Sequence, residues 1–396
     1  VKPRILVLVA FYLPGVKSGG PIRSISNLVE ALGDEMDFRI VTSDRDQGDV
    51  RPYSGITPDR WTSVGKAEVL YLSPARLGFR SMFRLLASEK ADFLYLNSFF
   101  GTSFSIIPLL ARALGVHGQA SVLLAPRGQF SNGALQLKAW RKKTWIRLAK
   151  RLAIYRHLTW HASSLYEEAD IRRIFGERAA IRLALPPSQS NLAGTACPPK
   201  IPGTLRMVFV ARISPMKNLL QAIEMLNGIS GNIEFNIYGP ERDGAYWSQC
   251  QNAIRELPNN VRVEFRSLVE HSAVPEIFAT HHLFLLPTLG ENYGHSIAEA
   301  LGAGCPVLIS DRTPWRGLES AGAGWDLPLD RSDLFRNALQ KCVGMTAGEL
   351  QMMRESARSY FRRVAAVEDV LNANRTLFAA GSTAAGTLPD LTRISR

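Results

Sequence analysis

The chain has 396 residues, too long for one typical domain and suited to two. Hydrophobic residues make up 46% and mean hydropathy is −0.03, which permits sizeable cores and excludes a membrane-embedded protein. A net charge of +12 implies an anionic partner, and charge alone does not choose among nucleic acid, a membrane surface and a phosphorylated substrate. Cys197, Cys250, Cys305 and Cys342 are scattered without metal-ligand spacing. That argues against a zinc site or a disulfide framework and for a reducing, cytoplasmic setting.

The first apolar run, in VKPRILVLVAFYLPG, is too short to span a bilayer. It resembles a signal peptide only loosely, and a first strand over 5–10 explains it better. Val1 suggests that an initiator Met or a tag is missing. The loop FYLPGVKSGG leads to a helix from about Pro21 to Leu32, with Pro21 suited to its first turn. Gly19 and Gly20 therefore sit between strand one and helix one, where glycines let a backbone approach a phosphate. Strand-like runs recur at 38–42, 68–72, 93–97 and 121–125, with helix-like segments at 78–88 and 102–114. This alternation predicts an α/β fold with a doubly wound parallel sheet. Asp44-Arg45-Asp46 matches an Asp-x-Asp metal signature. Its place after the second strand fits a loop better, and neither a metal nor a cofactor is expected.

Arg127-Gly128 follows the strand VLLAP. Residues 136–157 are the most basic stretch: Lys138, Arg141, Lys142, Lys143, Arg147, Lys150, Arg151 and Arg156 alternate with Trp140, Trp145, Ile146, Leu148, Leu152 and Ile154. Two readings stand. One is a core-packed helix with a solvated basic face; the other is docking on anionic lipid or on a lipid-diphosphate acceptor. Nucleic acid is not expected, because no stacking or helix-turn-helix signature accompanies the charge. His161 to Ser164 reads as a strand end before a helix near 165–175, and the prolines between Pro186 and Pro202 mark 186–203 as a linker.

The second half restarts the alternation with LRMVFVARI, IEFNIYG, VRVEFRS, LFLLP and PVLIS. Arg212 ends its first strand and Lys217 opens the next helix. Two cations there oppose the helix dipole and call for a shared anion. Gly239-Pro240 makes a turn after IEFNIY. The stretch 282–310 organises the rest. Leu283 to Leu286 reads as a buried strand, Pro287 and Gly290 break it, and a helix carrying Ile297, Ala298 and Leu301 leads to a strand over Pro306 to Ser310. The loop Glu291-Asn292-Tyr293-Gly294 thus lies at the carboxyl end of a strand and the amino end of a helix, a place that binds phosphate. Glu291 and Glu299 flank it, and eight residues is a little over two turns, so both can face one cleft. Carboxylates accept hydrogen bonds from hydroxyls, and hydroxyls with phosphate describe a sugar nucleotide. Trp315 lies beyond the following strand, where it is expected to border the base or sugar. Residues 347–378 read as helical, and the tail has little apolar content.

The stretch from Glu291 to Glu299 resembles the Glu-x7-Glu motif of retaining family 4 glycosyltransferases, and the likeness extends over roughly 5–375. It implies two facing Rossmann-like domains, the GT-B arrangement, with the active site in the interdomain cleft. The expected organisation is an acceptor-binding domain over 1–185, a linker over 186–203, a nucleotide-sugar domain over 204–350, a helix over 351–380 that crosses back to the first domain, and a mobile tail over 381–396. The implied reaction moves a hexose from a nucleoside diphosphate sugar, UDP- or GDP-linked, to a glycan or lipid-linked acceptor hydroxyl with retention, in bacterial polysaccharide or lipid-linked glycan assembly. The resemblance assigns the diphosphate to Arg212, Lys217 and the backbone of Asn292, Tyr293 and Gly294, and the donor sugar to Glu291. It assigns the ribose to Glu299, and gives Gly19, Gly20 and Gly239 donor contacts. The family often has His-Gly where this chain has Arg127-Gly128; arginine is not a base at neutral pH, so a different task is expected of Arg127, such as an acceptor or phosphate contact, and the usual histidine's role stays unassigned. Two other classes remain open. One is an epimerase or phosphorylase on the same fold, though no independent motif marks a pyridoxal-phosphate lysine. The other is a non-catalytic sugar-nucleotide or polysaccharide-binding protein, against which the two carboxylates argue.

Overall fold

A computed structural model of the chain describes residues 2–117, 119–136, 139–152, 154–188, 197–241, 243–266 and 269–379. Lys138, residues 189–196 of the expected linker and the expected mobile tail lie outside the described residues. The chain forms two compact units, one drawn from Val1–Pro187 and Val367–Leu388, the other from Ser188–Ala366.

In the first unit the elements run β1 Arg4–Leu8, α1 Gly20–Leu32, β2 Asp37–Ser43, β3 Trp61–Val64, β4 Ala67–Leu72, α2 Phe79–Ser88, β5 Phe93–Leu96, α3 Ile107–Ala113, β6 Ser121–Leu124, α4 Asn132–Gln136, α5 Ala139–Arg151, β7 Thr159–Ala162, α6 Leu165–Phe175 and β8 Ile181–Leu183. The sheet order is β3-β4-β2-β1-β5-β6-β7-β8. Every pair is parallel except β3 with β4. A parallel strand covered on both faces reads as a continuous apolar run, and β1 does. Its alternate side chains feed two cores: Leu6 and Leu8 join α2, α3 and α6, while Ile5, Val7 and Val9 join α1.

The second unit follows with β9 Thr204–Val210, α7 Leu219–Glu224, β10 Asn232–Tyr238, α8 Gly244–Arg255, β11 Val261–Phe265, α9 Val274–Ala279, β12 Leu283–Leu286, α10 His295–Gly302, β13 Val307–Ser310, β14 Gly324–Leu327, α11 Ser332–Gly344 and α12 Ala347–Val364. Its sheet, β11-β10-β9-β12-β13-β14, is parallel throughout. Strand order reverses between β9 and β12, and ligands of such sheets bind outside the carboxyl ends of the strands at that switch.

The expected single C-terminal helix is two. The chain breaks at Ala365 and Ala366, so α12 stays with the second unit. The last helix, α13 Val367–Leu377, belongs to the first, where Leu377 and Phe378 enter the core beside Phe38 and Tyr95.

Candidate functional site

Two of the predicted residues, Lys217 and Glu291, meet at the switch of the second sheet. Leaving β9, the chain passes Arg212, which is exposed, and makes one tight turn over Pro215–Lys217 before α7. Leaving β12, it passes Thr288 to Gly290 and reaches Glu291. The two exits are bonded together. Thr288 Oγ1 and the Leu289 N–H both donate to the Met216 carbonyl, at 3.0 and 2.9 Å, and Asn218 Nδ2 donates to the Pro287 carbonyl at 2.9 Å. This brings Lys217 Nζ onto Glu291 Oε1, an ion pair whose side chains are only 16% and 10% exposed. The anion that the local charge called for is thus present for Lys217, supplied from 74 residues away.

The loop then turns into α10. Gly294 holds a left-handed conformation, φ 81°, and a Cβ there would lie 2.9 Å from Ile297 Cδ1. Glycine is required on both counts. Its carbonyl takes the N–H of Ile297 and Ala298, and no side chain caps the helix. Glu299 sits half-buried within α10. The Tyr293 side chain packs inward, with its hydroxyl 2.9 Å from that of Ser188. Burial pushes its phenol up to about 12. Any contact Tyr293 makes with a ligand falls to its backbone.

Trp315 departs from expectation. At 2% exposure it has no face for a base or sugar. Its indole N–H donates to the Tyr293 carbonyl at 2.5 Å, and its ring packs on Tyr293, Tyr360 and Phe361. It braces the glutamate loop from behind. Gly239 is also structural first. Its φ is 144°, and a Cβ would stand 1.9 Å from the Ala211 carbonyl oxygen, so β10 can cross the exit of β9 only without a side chain.

Gly19, Gly20 and Arg127 belong to the first unit. Gly19 has φ 64° and precedes α1, whose first residue is Gly20. The loop before them is pinned by Asp46, which accepts from the N–H groups of Val16 and Lys17 at 2.7 and 2.9 Å. Asp44 pairs with Arg45. The Asp-x-Asp acids thus brace backbone and a neighbouring cation.

Arg127 lies just past β6 in a left-handed conformation, φ 56°, followed by Gly128 at φ 75°. Its guanidinium donates to Asn97 Oδ1, Ser163 Oγ and the Tyr95 hydroxyl at 2.8, 3.0 and 2.7 Å. Tyr95 in turn contacts His161 Nδ1 at 2.7 Å, and His161 Nε2 contacts the Ala184 carbonyl at 2.9 Å. Glu167 accepts from the N–H groups of Gly128 and Ser163 at 2.6 and 2.8 Å. All of these partners are buried. Sequence reasoning found Arg127 but not this frame, because its members come from four separate strand ends.

The basic stretch has a packed side and an exposed one. Trp145, Ile146 and Ile154 pack on the core. Trp140, Leu148 and Leu152 are 71%, 45% and 60% exposed, and Arg141, Lys143, Arg147, Lys150 and Arg151 surround them. No described helix is long and apolar enough to cross a membrane.

Residues 199–350 match the family model described as glycosyl transferases group 1. No curated protein matches the chain. Among solved structures the chain is similar to HepE of Anabaena in complex with UDP and glucose, at 15% identity and TM-score 0.68 over 95% of this chain and 98% of that one. It is similar to sucrose-phosphate synthase from Thermosynechococcus elongatus, at 18% identity and TM-score 0.70 over 96% of this chain and 100% of that one. A third is WaaG, a glycosyltransferase involved in lipopolysaccharide biosynthesis, at 15% identity and TM-score 0.64 over 96% and 100% of the two chains. At such identities the likeness is one of fold: two α/β domains with parallel sheets, as in GT-B glycosyltransferases.

Proposed function

We propose that the protein is a retaining glycosyltransferase that moves a hexose from a nucleoside diphosphate sugar to an acceptor hydroxyl. The observation that carries this is the pairing of Lys217 with Glu291 at the switch between β9 and β12. A cation and a carboxylate held together at the amino end of α10 suit the two halves of such a donor: diphosphate for one, sugar hydroxyls for the other. UDP is the nucleotide we favour, because HepE is in complex with UDP and glucose.

In the reaction the bond between the anomeric carbon and the diphosphate oxygen breaks, and the electron pair leaves with the diphosphate. Arg212, Lys217 and the N–H groups of residues 292–294 stabilise that charge, each donor contributing about 3 kcal/mol. Glu291 holds the sugar and Glu299 the ribose. The acceptor oxygen bonds to the anomeric carbon on the face the diphosphate left, and its proton passes to a leaving phosphate oxygen. No protein nucleophile is required. The acceptor is a glycan or a lipid-linked glycan of bacterial surface assembly, and the exposed Trp140, Leu148 and Leu152 among cations set the protein on the anionic inner face of a membrane.

A thermal-shift panel of nucleoside diphosphate sugars tests the reading, since binding to the folded state raises its stability. One UDP- or GDP-sugar should raise the melting temperature and then release nucleoside diphosphate when acceptor is added. A flat panel would overturn the donor site, and a new sugar nucleotide formed without acceptor would replace transfer by epimerisation.

A further inference from the structure

We infer that Arg127 binds an anionic group, phosphate or carboxylate, carried by the acceptor. The inference rests on the glycosyltransferase reading for the word acceptor, and on the first unit alone for the anion.

Arg127 stands at the carboxyl edge of the first sheet, directly after β6 and against Asn97, which follows β5. That edge is where doubly wound sheets take ligands. Its left-handed backbone is a conformation that a residue with a Cβ adopts at some cost, and such conformations gather at functional sites. Glu167 holds the turn there through the Gly128 N–H.

The guanidinium is oriented by neutral oxygens, and the buried Glu167 carboxylate beside them takes the Gly128 and Ser163 N–H groups. The Ala184 carbonyl can only accept, so His161 Nε2 carries the proton and His161 Nδ1 is bare. Tyr95 therefore donates its hydroxyl proton to Nδ1 and offers its oxygen to Arg127. Asn97 offers an amide oxygen and Ser163 a hydroxyl. All three acceptors are neutral, and burial keeps Tyr95 so by pushing its phenol up to about 12. Four of the five guanidinium N–H groups are taken by these oxygens. The fifth, on Nη1, has no partner among the described residues. Three neutral oxygens have thus fixed one half-buried charge with one donor to offer.

The test uses the full chain saturated with UDP and titrated with inorganic phosphate, and separately with acetate to tell the two anion types apart. The Arg127 Nε–H resonance, assigned by its loss in Arg127→Lys, should move on addition of at least one anion. Asn97→Asp puts a carboxylate where the amide oxygen contacts Arg127, and should weaken that anion by about tenfold while leaving the melting temperature equal or higher. A merely structural arginine would not respond to anions in either protein. No movement with both anions would overturn the inference. Movement that UDP abolishes would also overturn it, by giving Arg127 to the donor. UDP affinity, measured by calorimetry, should be the same in Asn97→Asp as in the parent. If UDP failed to bind at all, the donor reading would fall, and the same titration without UDP would still decide whether Arg127 takes an anion.

Discussion

Lys217 and Glu291 meet as an ion pair although they follow different strands, β9 and β12, of the second sheet. Each carries a charge that a sugar nucleotide would claim, so in the free protein each holds the other in place. Lys217→Ala should weaken nucleoside diphosphate much more than free nucleoside, by about 1.5–3 kcal/mol for the lost charged contact. Calorimetry with UDP and uridine checks this, and equal losses for both would contradict a diphosphate role.

The two glutamates should separate cleanly. Glu299→Gln weakens bare UDP as well as UDP-sugar. Glu291→Gln leaves bare UDP unchanged or slightly tighter, because Lys217 is released from its partner, while turnover at saturating donor falls. A rate lost without nucleotide affinity marks a contact made with the reacting sugar. Full activity in both variants would refute the sugar-nucleotide reading of this stretch.

Gly239→Ala should destabilise the second unit by about 3 kcal/mol, since overpacking adds to a backbone angle that disfavours any Cβ. The close approach to the Ala211 carbonyl leaves no direction for relief. Urea denaturation measures the loss. An unchanged midpoint would mean that β10 and β9 can part without penalty.

Acid should unfold the protein partly through buried histidines. Burial, then Arg127, pushes His161 down to about 3, and burial pushes His281 and His282 down to about 4. Each is neutral when folded and takes a proton on unfolding below about pH 6.5. Their contribution is complete above that value and is lost as pH falls toward about 4, by up to ~1.4 kcal/mol per pH unit for each histidine. Replacing His161 by Gln keeps an acceptor for Tyr95 and a donor for Ala184. It should flatten the slope of stability against pH by about one proton between roughly pH 6 and 4.5. An unaltered slope would show that His161 is protonated in the folded state.

Membrane docking is testable on α5. Trp140→Ala combined with Arg147→Glu and Arg151→Glu should abolish sedimentation with anionic vesicles. Stability should stay within about 0.5 kcal/mol, because these side chains are exposed. Binding by the parent should fall with salt. Equal binding to neutral vesicles would exclude the electrostatic account.

Much of the fold was legible because parallel strands bury both faces. Runs such as Leu283 to Leu286 and Ile5 to Leu8 admit little else, and Pro21 and Gly294 mark helix starts by backbone chemistry. Edge elements were not legible. β3, WTSV, is partly exposed and antiparallel, and β8 has three residues, so neither shows a period. Within the site, local spacing could pair Lys217 with Arg212 but not with Glu291. Trp315 was assigned to the ligand because an aromatic near a loop reads the same whether it faces solvent or a carbonyl. Only the fold shows its indole N–H turned to Tyr293.

The place of Phe378 bears on how the protein is made. Its ring meets Phe38, Phe93 and Tyr95 edge-on, at 6.2, 5.7 and 5.5 Å, and fills the core beneath the first sheet. A ribosome delivers the residues of that unit up to Pro187, then the whole second unit, and only then α13 and Phe378. At ~5–20 residues per second the interval is about 10–40 s. Through it the nascent N-terminal unit lacks the ring that packs on Phe38, Phe93 and Tyr95.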